Sequence, residues 1–194
     1  MLKIKKLNNF QVNVRIEKVL SYLKYTRRTE IDANIKSLIL EEIQEVYVAI
    51  EPFAMIRIED QVEFLYQWSD DVKKLLLNSA KTVVFAVTLG INFDIKIEKF
   101  LEDRQILKAT IWDSIGSEAV EQCANYVNEY IRKKALLDDY LTTKRYSAGY
   151  GDWHVQSNIE IIKYLEPENI TVNKEGMLTP QKTITAIFGL EPRF

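Results

Sequence analysis

Residues 144–158 read "KRYSAGYGDWHVQSN" and gather an arginine, three aromatic side chains, two glycines and the only histidine into fifteen positions. The whole sequence has 6 glycines, so two of them one residue apart mark a place where backbone conformation matters. Three kinds of chemistry fit these residue types. Gly149 and Gly151 can supply the backbone angles of a connection, with Asp152 capping the helix that follows. Asp152 and His154 form an Asp-x-His pair, the pattern in which a carboxylate holds an imidazole toward a metal. Arg145 can grip a carboxylate with paired charge-assisted hydrogen bonds, and Tyr150 can stack on a heteroaromatic base or sit against a cation.

The metal reading fails on its context. Cobalamin-binding domains use Asp-x-His-x-x-Gly, and Ser157 stands here at the glycine position. The segment "IEIIKYLEPE" that follows reads as a helix without the further glycines a corrin tail needs. His154 is therefore expected as an exposed residue at a helix start, and no metal ligand is expected in the chain. Arg145, Gly149 and Tyr150 remain as a candidate pocket for a small ligand bearing charge and an aromatic ring.

The elements that must position these residues belong to a chain of 194 residues, 47% hydrophobic and 28% charged. That is the composition of a globular domain able to bury a core without disulfides or metal. A formal net charge of -2 with interspersed signs gives no nucleic-acid footprint. Cys123 is the only cysteine, which excludes an intramolecular disulfide framework and points to a reducing compartment. The basic N-terminus has no apolar stretch after it, and "TVVFAVTLGI" is too short to span a bilayer. A cytoplasmic protein without membrane or nucleic-acid partners is expected.

Apolar spacing predicts helices over "RIEKVLSYLKY" and "TEIDANIKSLILEEIQEV", with Thr29 as the cap of the second and a basic turn at Arg27 and Arg28 between them. "VYVAIEPFAMIRIED", broken by Pro52, predicts two short extended segments. Ser69, Asp70 and Asp71 open a helix over "SDDVKKLLLNSA". "KTVVFAVTLG" predicts a strand buried on both faces and ended by Gly90. "INFDIKIEKFLED" and a long segment at about 107–138 predict further helices. In the second, Trp112, Ile115, Ala119, Cys123, Val127, Tyr130 and Ile131 share a stripe, and Gly116 marks close packing or a kink. "VQSNIEIIKYL" predicts a helix stopped before Pro167, and "ITV" and "QKTITAIFGL" predict strands. The expected architecture is an α+β single domain, residues 1–194, with a mixed or antiparallel central sheet and several helices, one of them long.

Three blocks in order, "AVEQCANYVNEYIRKK", "RYSAGYGDW" and "KEGMLTPQKTITAIFGLEP", resemble the activation domain of cobalamin-dependent methionine synthase. "FAVTLGINFDIKIEKF" is similar to the Thr-Leu-Gly region of short, free-standing versions of that domain. The resemblance covers roughly residues 80–192 well and the N-terminal helical part, 1–80, by general pattern.

The resemblance implies a domain that binds S-adenosylmethionine and presents its methyl group to oxidised cobalamin during reductive reactivation. The cobalamin is carried by a separate module, and the electron comes from a flavodoxin-like or other low-potential donor. It further implies that Arg145 holds the methionine carboxylate, that Gly149 and Tyr150 line the adenosine side through backbone and ring, and that Ala148 belongs to the same binding set. Glu121, at an acidic position of the long helix, would face the ammonium or sulfonium. Glu59 and Asp60 match a further acidic contact by position only. The chain would have no catalytic residue and no turnover alone, serving as an auxiliary subunit of a methyltransferase in methionine biosynthesis.

Two alternatives stand beside this expectation. Gly151-Asp152-Trp153 stands where the family has a Pro- and Cys-containing segment, which fits a non-catalytic module that caps a corrinoid methyltransferase without binding S-adenosylmethionine. An independent S-adenosylmethionine methyltransferase would want a glycine-rich loop after a first strand, and "VTLGIN" has a single glycine.

Overall fold

Alternation on the strands builds the molecule outward from one sheet with two buried faces. The structure, a computed structural model, describes residues 4–26, 30–60 and 62–193. Its main sheet contains β1 (Ile4–Asn8), β2 (Phe53–Glu59), β3 (Lys81–Thr88), β4 (Tyr140–Thr142) and β7 (Thr183–Pro192) in the order β1-β2-β3-β7-β4. Every neighbouring pair is antiparallel. Two short strands, β5 (Thr171–Val172) and β6 (Leu178–Thr179), form a separate ribbon.

Strand side chains alternate between faces, and the two cores follow that alternation. Val83, Phe85 and Val87 of β3, with Ala186 and Phe188 of β7, enter one core. Val84 and Ala86 of β3, with Ile187 of β7, enter the other. The first core is covered by helices α1 (Ile16–Tyr22), α2 (Ala33–Ala49), α4 (Ile91–Glu102) and α5 (Ile106–Leu137). The second is covered by a 3-10 turn (Glu63–Leu65), α3 (Asp70–Leu76), α6 (Ser157–Leu165) and Trp153.

The long helix forms as the stripe predicts: Trp112, Ile115, Ala119, Cys123, Val127 and Ile131 are buried and Tyr130 is half-buried. α1, α2 and α4 all pack on it. Gly116 lets the Phe93 ring of α4 lie against the α5 backbone; a Cβ there would overlap that ring. Phe93 in turn stacks on Trp112 with ring centroids 5.4 Å apart. The Trp112 indole donates to the buried Glu42 of α2 at 2.6 Å, and Lys108 supplies the opposite charge at 2.8 Å.

Several expectations change. The segment Val46–Ala49 completes α2 instead of forming a strand, because Val46 continues the buried face set by Ile39, Glu42 and Ile43. The cap of α2 is Asp32, whose side chain accepts from the amides of Asn34 and Ile35; Arg27, Arg28 and Thr29 lie outside the described residues. β1 lies in the N-terminal part read as helical, and β4 begins at Tyr140, just after α5 ends at Leu137. Ser69 does cap α3, accepting from Val72 N–H at 3.1 Å. Asp152 caps the same helix α3, not α6: its carboxylate accepts from Ser69 Oγ at 2.6 Å and from the amides of Asp70 and Asp71 at 2.8 and 3.2 Å. The residue ahead of α6 is Gln156, which makes no side-chain cap. A carboxylate outside the helix reaches those amides because Trp153 next door is buried, donating its indole N–H to Leu65 O at 3.1 Å.

Candidate functional site

After β4 the chain leaves regular pairing but stays against β7. Thr143 N–H donates to Gly189 O, and Thr143 Oγ1 accepts from Gly189 N–H. Tyr146 then exchanges both backbone hydrogen bonds with Ile187. This stitching leaves Tyr146 and Arg145 on opposite sides of the strand line, as alternation requires. The Tyr146 ring faces the second core beside Trp153, and its hydroxyl donates to Asp71 at 2.9 Å. Arg145 turns toward α5, where its Nη2 donates to Glu121 Oε2 at 2.6 Å.

The structure therefore brings together two of the residues read from the sequence, Arg145 and Glu121, in one ion pair. Their side chains are 19% and 34% exposed, enough for a solute to reach them and enough burial to strengthen the pair beyond a surface contact. Arg145 Nη1 is buried with no hydrogen-bond partner, a donor left unsatisfied beside the ion pair.

The remaining expected residues contribute less directly. Ala148 packs its methyl group against the second core, on the Tyr146 side. Gly149 adopts φ 93, and its N–H donates to Trp153 O at 2.7 Å. Tyr150 N–H reaches Ser147 O at 3.3 Å. Both amides thus close the turn, leaving the side chain of Tyr150, a residue 65% exposed, as the part of this loop free to meet a ligand. Gly151, at φ 52, is held against Tyr146 Oη and Asp71, where a side chain would collide. His154 is exposed, as expected of it, and the Asp152 carboxylate is engaged at α3. Among the described residues no group of three or more His, Cys, Asp or Glu side chains is placed to hold a metal ion. Glu59 and Asp60 lie at the end of β2, with Asp60 3.5 Å from Lys81.

Four residues that sequence reading passed over stand near the ion pair. Glu118 sits one helical turn before Glu121 on α5, with its side chain 2% exposed. It is held by Arg15 Nε at 2.8 Å and Gln122 Nε2 at 2.7 Å. Tyr22, the last residue of α1, completes the group. Burial lifts its phenol above the ordinary tyrosine range, and the nearby Glu121, Glu118 and Tyr150 add to the rise. The sequence carried one signal for this half: Glu118, Glu121 and Gln122 recur at helical spacing beside an apolar stripe. Their partner Arg15 lies 103 residues away from Glu118, beyond any local pattern. The arrangement is two arginines facing two carboxylates, with an exposed tyrosine contributed by α1 and another by the loop after β4.

The sequence matches no known family model and no curated protein. The fold is similar to the solved structure of the MetH reactivation domain bound to AdoHcy, with a TM-score of 0.68 and 12% sequence identity, covering 100% of this chain and 80% of that one. At that identity the likeness is one of fold.

Proposed function

We propose that this chain binds S-adenosylmethionine at the Arg145–Glu121 pair and acts as a stand-alone reactivation component for a cobalamin-carrying methionine synthase module. The observation that carries the proposal is the pair itself, 2.6 Å long, with Arg145 Nη1 buried and unpartnered. An amino-acid end is a carboxylate beside an ammonium, the mirror of an arginine beside a glutamate. Exchange of the internal pair for two external ones places the ligand's carboxylate on Arg145 and its ammonium on Glu121 without stranding a charge. Tyr150 offers a face to the purine or to the positive sulfur. The fold likeness to a domain solved with AdoHcy supports the same ligand class.

On this reading the chain's residues bind and orient, and the methyl transfer belongs to the corrinoid on the partner and to a low-potential electron donor. Calorimetric titration with S-adenosylmethionine tests the binding. Arg145→Ala should weaken it by at least about tenfold, the usual cost of a lost charge-assisted contact, while circular dichroism shows the fold retained. Absence of binding to the wild-type chain, alone and with a cobalamin-carrying module, refutes the proposal.

A second reading is a module that caps a corrinoid methyltransferase and takes no ligand. It is favoured by the closed state of the loop: the Gly149 and Tyr150 amides are already bonded internally and Arg145 already has Glu121. Under it, the wild-type chain and Arg145→Ala dock on the corrinoid partner equally and neither binds S-adenosylmethionine.

A further inference from the structure

We infer that residues 10–14, between β1 and α1, form an unpaired strand that takes up an extended, uncharged peptide of a partner protein by main-chain pairing. Burial alternates along the segment: Phe10, Val12 and Val14 are buried, Gln11 and Asn13 exposed, which is the period of a strand. Both ends are fastened to α5. The Phe10 ring stacks on Tyr126 with centroids 4.5 Å apart, and Arg15 Nε reaches Glu118 at 2.8 Å. Those two anchors lie about 12 Å apart along the axis of α5. The chain from residue 10 to 15 matches that span with an open backbone, up to about 17 Å, better than with a helical turn, about 8 Å. Arg15 itself is extended, at φ -95 and ψ 114.

A strand normally gives its main-chain groups to a neighbour, and this one has none. Pairing with the β2 side ends where Asn9 N–H donates to Pro52 O at 2.8 Å, and Asn9, at φ 48, turns the chain out of the sheet. From Phe10 to Asn13 the main chain makes no hydrogen bond to any described residue. Val14 N–H donates to Tyr47 Oη of α2 at 2.9 Å, so the edge that carries the main-chain groups of residues 10, 12 and 14 faces α2. Along that edge runs a groove of about 500 Å³, between residues 9–13 and a wall of Tyr47, Ile50 and Pro52. Free donors and acceptors at strand spacing are complemented by a second extended chain. Among the described residues no charged side chain lines the groove, although 28% of the chain is charged. A charged peptide would lose water there without gaining a counter-ion. Ile50 and Pro52 suit apolar side chains at alternate positions. The neighbouring open edge, β1, carries Lys5 and Lys6, the usual guard against pairing, whereas "NFQVNV" at 9–14 has neither charge nor proline.

The test selects binders to the intact chain from a displayed library of random seven-residue peptides, then follows amide hydrogen exchange of the chain with the synthetic binder present. The binders should be uncharged, with apolar residues at alternate positions. Exchange at the Phe10 and Val12 amides should slow by at least about tenfold, while Gln11 and Asn13, on the opposite edge, change by less than about twofold. Val12→Pro and Asn13→Pro each delete one N–H while keeping a backbone angle that an extended segment accepts. The first should weaken the peptide by about tenfold and the second by less than about twofold. Equal losses in the two variants would overturn the pairing; if Val12→Pro does not fold, the exchange pattern of the wild-type chain decides alone. A library that yields no binder, binders rich in charge, or protection confined to other segments would each overturn it as well. Because no S-adenosylmethionine is present, the outcome leaves the ligand proposal untouched.

Discussion

The Asp152 carboxylate accepts from a serine hydroxyl and two backbone amides at the positive end of α3, and those donors, the Ser69 hydroxyl first, hold its pKa below the ordinary value of 3.8. A depressed folded pKa contributes stability that is present above the unfolded value and lost as pH falls through the folded one. Asp152→Asn should therefore lower the urea midpoint at neutral pH. Its difference from wild type should be constant above about pH 5 and shrink in acid, which paired urea titrations across pH would read. A difference that persists unchanged at pH 2 contradicts the cap. The same residue shows why part of the site was hidden in the sequence. "GDWHVQSN" offers a cap just ahead of a helix, but burial of Trp153 swings the aspartate to a helix 82 residues earlier in the chain. Arg145 and Tyr150 were legible because arginine, glycine and aromatic residues crowd one short segment. Arg15 and Tyr22 were not, since their meaning comes from Glu118 and Glu121 across the helix interface.

Elements with a long, regular pattern were read correctly: the stripe of α5, the doubly buried β3 and the Ser69 start of α3 all appear where apolar spacing and capping place them. The edges of the sheet were missed. β1 reads Ile-Lys-Lys-Leu-Asn and pairs on one side only, with β2, and charged lysines suit an edge strand while erasing its signal. β4 spans 3 residues, too few to show alternation. At this scale the α4–α5 crossing is the sharpest test. Gly116→Ala places a methyl group in the Phe93 ring and should destabilise by about 1–3 kcal/mol through overpacking. Phe93→Leu combined with Gly116→Ala should recover part of that loss, because the two sites share one contact. Equal, additive losses in urea melts would mean that Phe93 does not press on Gly116.

Across the whole molecule, the single thiol reports on the two-faced core. Cys123 is fully buried on α5, and desolvation pushes its pKa to about 12. Labelling by a thiol reagent at neutral pH should proceed only through opening of α5, with a rate that rises along with the urea-unfolded fraction. Prompt labelling in the native state would contradict that packing. S-adenosylmethionine at about 100 times its dissociation constant should slow the same labelling, in step with about 2.7 kcal/mol of added stability. β7 links these observations. Late in chain order, it lies inside the sheet between β3 and β4, and its Ile187 backbone pins Tyr146 one residue from Arg145. During synthesis, Arg15, Tyr22, Glu121, Arg145 and Tyr150 all emerge from the ribosome before the strand that aligns them. A nascent chain stalled near residue 180 would carry every side chain of the site and no geometry for it, leaving β3 with an open inner edge for a chaperone to cover.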